Sequence, residues 1–274
     1  DALIEAQAYR PCDWRVASDE INYRRFFDVN DLAALAAERD DVFRATHQKL
    51  LDWIADGLVD GLRIDHPDGL FDPKAYLRRL QDAVGRPLFV VVEKILGNGE
   101  KLPADWATDG TTGYEFAAVA AGLLVDSHAE AALTASYRAF AGTGDSFEEI
   151  AYRKKFLVMQ SSLTSELHTL AGHLDRLAQS HRWSRDFTLN GLRHALREVI
   201  ASFPIYRTYI DGEVTNSDTA AVRLAVARAA RRNPLLGRAV FQFVRDTLLL
   251  QDPPLGPATP EYRDDQIRFA GKFQ

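Results

Sequence analysis

The chain has little of what would take it out of a reducing compartment. Of its 274 residues only Cys12 is a cysteine, so no intrachain disulfide can form. No apolar run approaches the roughly 20 residues needed to span a bilayer. Positive charge is also scarce: 33 Lys and Arg against 39 Asp and Glu leave a net charge of -6. Such a chain has no overall electrostatic footprint for nucleic acid or an anionic membrane. A cytoplasmic location, with no nucleic-acid and no membrane partner, is the expectation. Missing too are a Walker phosphate loop, a dinucleotide-type glycine fingerprint and a G-x-S-x-G element. The first residues, D-A-L-I-E-A-Q-A-Y, lack the basic and apolar regions of a signal peptide, and the only methionine is Met159. The chain is read as a piece of a longer protein.

What is present is ordinary for a globular chain: 46% hydrophobic and 26% charged residues, enough for one large domain or two smaller ones. Tyr23 to Phe27 reads as a short strand. Asn30-Asp31 can cap a helix whose apolar stripe is Leu32, Leu35, Val42, Phe43, Leu50, Leu51 and Ile54, with Gly57 at its end. Val59 to Asp65 is a strand. Asp72-Pro73 opens a helix with Tyr76, Leu77, Leu80 and Val84 inward, and Gly85 closes it. Leu88 to Glu93, L-F-V-V-V-E, is the next strand, polar-free enough to be covered on both faces. Residues 97 to 114 read as a long loop, and 115 to 200 as helical, with Asp186 capping one helix. Phe203 to Ile210 reads as a third strand, followed by helices from Asp218 and from Pro234.

This order is α/β. It predicts a partial (β/α)8 barrel, the middle strands only, with a large helical insertion after the second strand. The expected division is 1–114 for the barrel fragment, 115–200 for the inserted helices and 201–274 for the continuation of the barrel.

The chemistry concentrates at two strand ends. Gly61 to Leu70 reads G-L-R-I-D-H-P-D-G-L, and Asp65 sits where the apolar run stops. Glu93 ends the next strand. Acids at the same ends of successive parallel strands can face one another across a cleft. Arg63 and Asp65, two apart, point to one side of the strand. There Arg63 can orient Asp65 and keep it ionised, as a nucleophile requires; the plainer alternative is an ion pair capping a strand end. Glu93 stands at the end of an apolar run, a setting suited to a group that donates a proton and then accepts one. Its alternative is an exposed residue starting a loop, paired with Lys94. His66 and Asp68 could bond sugar hydroxyls or simply form an Asp-Gly turn. Trp106, Tyr114 and Trp14 are either sugar-stacking faces or core. D-H-P-D has no second cluster at ligand spacing, so neither metal nor cofactor is expected.

Taken together, these segments resemble the maltooligosyl trehalose synthases of the α-amylase superfamily. The nucleophile strand of that superfamily carries the G-x-R-x-D core. I-N-Y-R-R-F-F-D-V-N-D-L precedes it here, and V-E-K-I-L-G-N-G-E-K-L-P-A-D-W follows. G-T-T-G-Y-E-F and F-P-I-Y-R-T-Y-I complete the set. The resemblance runs from about Tyr9 to the end. It implies an intramolecular transglycosylase acting on a maltooligosaccharide, converting the reducing-end α-1,4 linkage to α,α-1,1. A trehalose-releasing hydrolase would act downstream. Asp65 would be the nucleophile, Glu93 the acid/base and Arg63 the group orienting Asp65. His66 and Asp68 would lie at sugar subsites, Asn22, Arg24 and Arg25 would line the cleft, and Trp106 and Tyr114 would sit on a covering loop. The family's early D-x-x-x-N-H strand and the strand with its third carboxylate have no counterpart here, so the chain alone is expected to be inactive. The alternatives are another α-amylase-type hydrolase or transglycosylase, and a non-catalytic glycan-binding fragment.

Overall fold

A computed structural model describes every residue except Asn98 and Leu255. Asn98, part of the G-N-G-E motif, lies outside the described residues. The chain divides into two compact units: Asp1–Ala34 with Glu148–Pro204 and Ile210–Gln274, and Leu35–Phe147 with Ile205–Tyr209.

The first unit starts with two single-turn helices, α1 (Ala2–Glu5) and α2 (Ala17–Glu20), and an antiparallel pair, β1 (Arg25–Phe26) and β2 (Val29–Ala33). Asn30 and Asp31 therefore lie in a strand and cap no helix. The Asn30 side chain is engaged by Arg25 Nη1 at 2.7 Å, and its carbonyl accepts from Tyr23 Oη at 2.8 Å.

In the second unit, α3 (Asp40–Ala55) starts later than the sequence suggests. Leu32 and Leu35 are exposed, while Phe43 and Ile54 carry its buried stripe. Strand β3 (Gly61–Ile64) leads through α4 (Pro73–Val84) to β4 (Phe89–Val92). Helix α4 has the caps its sequence requires. Asp72 accepts from Ala75 N at 2.8 Å, Pro73 occupies the first turn, and Gly85 ends the helix at φ +69. β3 and β4 pair in parallel, with Arg63 opposite Val91 and Ile64 opposite Val92. Gly61 is needed for this pairing, because a Cβ there would come within 2.9 Å of the Phe89 carbonyl oxygen.

One face of this sheet is closed. Val90 and Val92 pack with Ile54, Leu77, Leu88 and Trp106, joined by Leu62 and Ile64. Each fully buried side chain of this kind contributes about 1.5–3 kcal/mol. The other face carries Arg63, Phe89 and Val91. Phe89 is 59% exposed, so β4 is covered on one face only, and its burial alternates residue by residue.

The third parallel strand also departs from expectation. It is β5 (Gly110–Thr111), taken from the stretch read as loop, and the sheet order is β3-β4-β5. Phe203 to Ile210 forms no strand. Pro204 has no N–H to give a ladder, and residues 205–209 are anchored through side chains instead. Helices α5 (Tyr114–Gly122) and α6 (Glu130–Ala141) follow, with no buried residue.

The chain then returns to the first unit with α7 (Phe147–Ser161), α8 (Thr164–Gln179) and α9 (Leu189–Ala201). It ends with α10 (Asn216–Arg232), α11 (Arg238–Leu248) and α12 (Pro260–Phe273). Leu174, Leu196, Val222, Phe241 and Phe269, one from each of α8 to α12, are buried in a common helical unit. The helices before residue 200 therefore pack with those after it, and 201–274 does not continue the sheet. The division differs from the expected one because apolar helix faces, not chain order, decide what packs together. Thr188, whose Oγ1 accepts from Gly191 N at 3.2 Å, caps α9 in place of Asp186. Thr215 and Asp218 form a capping box on α10, placing Asp218 inside the first turn. α11 begins at Arg238 instead of Pro234.

Candidate functional site

The parallel register brings the two acids together. The Glu93 N–H donates to the Ile64 carbonyl at 2.8 Å, extending the ladder by one residue and setting Glu93 beside Asp65. Arg63, on the same face, bridges both. Its Nη1 lies 2.7 Å from Asp65 Oδ1, and its Nη2 3.2 Å from Glu93 Oε1. The Asp65 carboxyl is held below the usual carboxylate range, first by a hydrogen bond with the Glu93 side chain and second by Arg63. Asp65 is 67% exposed at its side chain and Glu93 27%. The sequence assigned the depression to Arg63 alone; the neighbouring acid is the larger cause.

The turn after β3 completes the cluster. His66 takes a left-handed conformation, φ +44, and its N–H donates to Glu93 Oε2 at 3.1 Å. A non-glycine residue held there is the kind of local strain that concentrates at functional sites. The imidazole lies over Gly69, where a Cβ would come within 2.7 Å of Nδ1. His66 Nε2 is 3.4 Å from the Tyr206 hydroxyl. Tyr114 arrives through β5: Thr112 N donates to the Val92 carbonyl at 3.0 Å, and Gly113 turns at φ +94. The Tyr114 hydroxyl then donates to Glu93 Oε1 at 3.5 Å.

Asp68 faces inward. Its carboxylate accepts from the Tyr209 hydroxyl and lies 3.3 Å from Lys94 Nζ. Lys94 is fully buried and also lies 2.8 Å from Glu100. Arg207, buried, donates from Nη1 to the carbonyls of Asp68 and Leu70, both at 2.8 Å, and stacks over the Tyr209 ring. Burial, followed by the Asp68 charge, pushes the Tyr209 hydroxyl well above its ordinary value. Asp68 is thus a support for the turn, because its charge is already satisfied from within. Trp106 is corrected in the same way: at 5% exposure it packs edge-on against Tyr209, 5.0 Å between centroids, and offers no face for stacking.

Asn22, Arg24 and Arg25 belong to the other unit. Asn22 and Arg24 are exposed. Arg25 is buried, with Nη2 2.5 Å from Glu166 and 2.8 Å from the Ser162 carbonyl, so its guanidinium is spent on structure. Sequence reasoning missed Glu100, Arg207 and Tyr209, and offered Lys94 only as a partner for Glu93, whereas it pairs with Asp68 and Glu100. The available signal was a lysine closing an apolar strand and an alternating Arg and Tyr in F-P-I-Y-R-T-Y-I. Reading that segment as a strand hid its anchoring role. Among the described residues no cluster of His, Cys, Asp and Glu could hold a metal ion.

An accessible carboxylate beside a second carboxyl group suits attack at an acetal carbon by the one and proton transfer to the departing oxygen by the other.

No family model matches the chain. It is 38% identical over 176 residues, 64% of its length, to a curated Mycobacterium tuberculosis protein named maltooligosyl trehalose synthase. It spans 22% of that relative's length. Among solved structures it is similar to the maltooligosyltrehalose synthase of Arthrobacter ramosus, with TM-score 0.79 and 33% identity. That match covers 99% of this chain and 32% of the other. A glycosyltrehalose synthase from DSM5389 matches with TM-score 0.66 and 35% identity over 88% of this chain and 31% of its own.

Proposed function

We propose that the chain is the central catalytic segment of a maltooligosyl trehalose synthase. The sheet β3-β4-β5 is read as an arc of a (β/α)8 barrel, with the open face of Arg63, Asp65 and Glu93 turned to the barrel interior. The observation that carries the reading is the Arg63-bridged pair Asp65 and Glu93 at the ends of adjacent parallel strands. One guanidinium spanning both carboxyls, 2.7 Å from Asp65 Oδ1 and 3.2 Å from Glu93 Oε1, keeps the two acids close and favours double displacement. An inverting pair stands roughly 6.5 to 9.5 Å apart to admit a water, whereas a retaining pair is roughly 5 to 5.5 Å apart.

In this reading Glu93 protonates the reducing-end glycosidic oxygen of a maltooligosaccharide while Asp65 attacks the anomeric carbon. A glycosyl-enzyme forms through an oxocarbenium-like state. The released glucose stays bound and turns. Glu93 then takes the proton of its anomeric hydroxyl, which attacks the intermediate from the same face, giving an α,α-1,1 linkage. Arg63 orients Asp65, and Tyr114 and the His66 N–H orient Glu93. Exclusion of water decides between rearrangement and hydrolysis.

The test exchanges this chain for the matched segment of the Arthrobacter ramosus enzyme and incubates the folded chimera with maltohexaose. Loss of reducing ends without glucose release is the expected result. Glucose release as the main outcome would assign an α-amylase-type hydrolase. A folded chimera that binds maltohexaose but turns nothing over would reduce the chain to a glycan-binding segment.

A further inference from the structure

Helices α10 and α11 of the first unit form a groove that the proposed reaction does not use. It encloses about 480 Å³. Its charged rim is Arg223 and Arg231 from α10 with Arg238 and Arg245 from α11, and no carboxylate lines it. Arg245 is met by Asp246 at 2.7 Å. The side chains of Arg223, Arg231 and Arg238 make no ion pair or hydrogen bond among the described residues. In a chain of net charge -6, this is a local reversal of sign.

The charges are set in two poles. On a helix rising about 1.5 Å per residue, Arg223 and Arg231 stand about 12 Å apart and Arg238 and Arg245 about 10 Å apart. The two helices pack together across the short connection 233–237. Arg231 and Arg238 therefore share the end at that connection, and Arg223 and Arg245 share the far end. Between the poles the small side chains of Ala227 and Ala230 leave the space open, over a floor that includes the buried Val226 and Phe241.

We propose that this groove binds a small molecule carrying a phosphate at each end, one phosphate to each pair of guanidinium groups. A planar guanidinium matches phosphate oxygens in a two-point contact. A phosphate monoester carries about -1.5 to -2 at pH 7, which balances Arg231 and Arg238 at the connection end; at the far end Asp246 already meets Arg245, and Arg223 is, among the described residues, the unpaired cation there. The volume falls in the usual range for small-molecule sites, roughly 300–1,000 Å³. Sugar bisphosphates have the required length and a compact body.

The experiment is calorimetric titration of the 274-residue chain with fructose 1,6-bisphosphate, glucose 6-phosphate and inorganic phosphate at constant ionic strength. The bisphosphate is expected to bind at least tenfold more tightly than either monophosphate. Arg223→Glu and Arg238→Glu, one at each pole and both exposed, should each weaken it tenfold or more, with unchanged helix content by circular dichroism. Arg10→Glu, outside the groove, should leave binding unchanged. Absence of bisphosphate binding, equal affinity for all three anions, or affinity unmoved by both pole variants would each overturn the proposal.

Discussion

Glu93 and Lys94 are neighbours in the chain, yet they belong to charge clusters with opposite physical roles. Glu93 joins Arg63 and Asp65 on the open face of the sheet, where the side chains remain partly in water. Lys94 joins Asp68 and Glu100 on the closed side, where its ammonium is fully buried and the two carboxylates are 11% and 12% exposed. Exposed ion pairs contribute about 0–1 kcal/mol, so the outer cluster adds little to stability and is free to be used for chemistry. A buried pair costs desolvation, and breaking it by removing one partner costs much more. The inner cluster therefore ties down the turn that carries His66. The α-carbon alternation of one strand is enough to separate the two roles.

The comparison can be broken most decisively by activity. In the chimera, Asp65→Asn should lower turnover of maltohexaose by roughly 10⁴-fold or more, and Glu93→Gln by roughly 10²- to 10⁴-fold. Urea midpoints of both variants should stay close to the parent value. Residual activity above a tenth of the parent in Asp65→Asn would remove that residue from the chemistry.

Stability should respond in the opposite order. Lys94→Met leaves Asp68 and Glu100 without their cation and should cost about 3–5 kcal/mol in urea unfolding. Arg63→Met should cost no more than about 1 kcal/mol. Equal losses would dissolve the distinction between the clusters. Trp106→Ala, emptying the core beneath the sheet, should cost about 3–5 kcal/mol, whereas a stacking platform on an exposed loop would cost little.

A subtler effect separates the causes of the Asp65 shift. Its folded-state pKa is depressed, so its contribution to stability is present above the ordinary value of 3.8 and is lost as pH falls through the lowered one. Glu93→Ala should move the Asp65 titration, followed by carboxyl carbon resonance, further back toward 3.8 than Arg63→Ala does. The reverse order would make the arginine the dominant influence. The smallest effect concerns α9. Thr188→Ala should cost about 1 kcal/mol and Asp186→Ala almost nothing, by thermal unfolding, because Thr188 is the residue bonded to the exposed helix amide.

Much of the local structure was legible because its causes are local. Asp72-Pro73 and Gly85 bound α4 through side-chain capping and permitted backbone angles, and both signals lie in adjacent residues. The strands ending at Asp65 and Glu93, their parallel order and the shared side of Arg63 and Asp65 follow from apolar runs and a two-residue period. Asn30 shows where that reasoning stops. Its side chain could cap a helix, but a guanidinium five residues away in sequence claims it.

The residues of G-L-R-I-D-H-P-D-G-L and L-F-V-V-V-E by themselves determined which acids stand at strand ends and which arginine accompanies them. Only the tertiary structure decided that Asp68 and Trp106 turn inward, that Arg25 is consumed by Glu166, and that residues 205–209 brace the turn after β3 without forming a strand. The reason is that a polar or aromatic side chain is compatible with several partners of similar energy. Which one it meets depends on contacts made by residues more than a hundred positions away, as Arg207 does with Asp68 and Leu70.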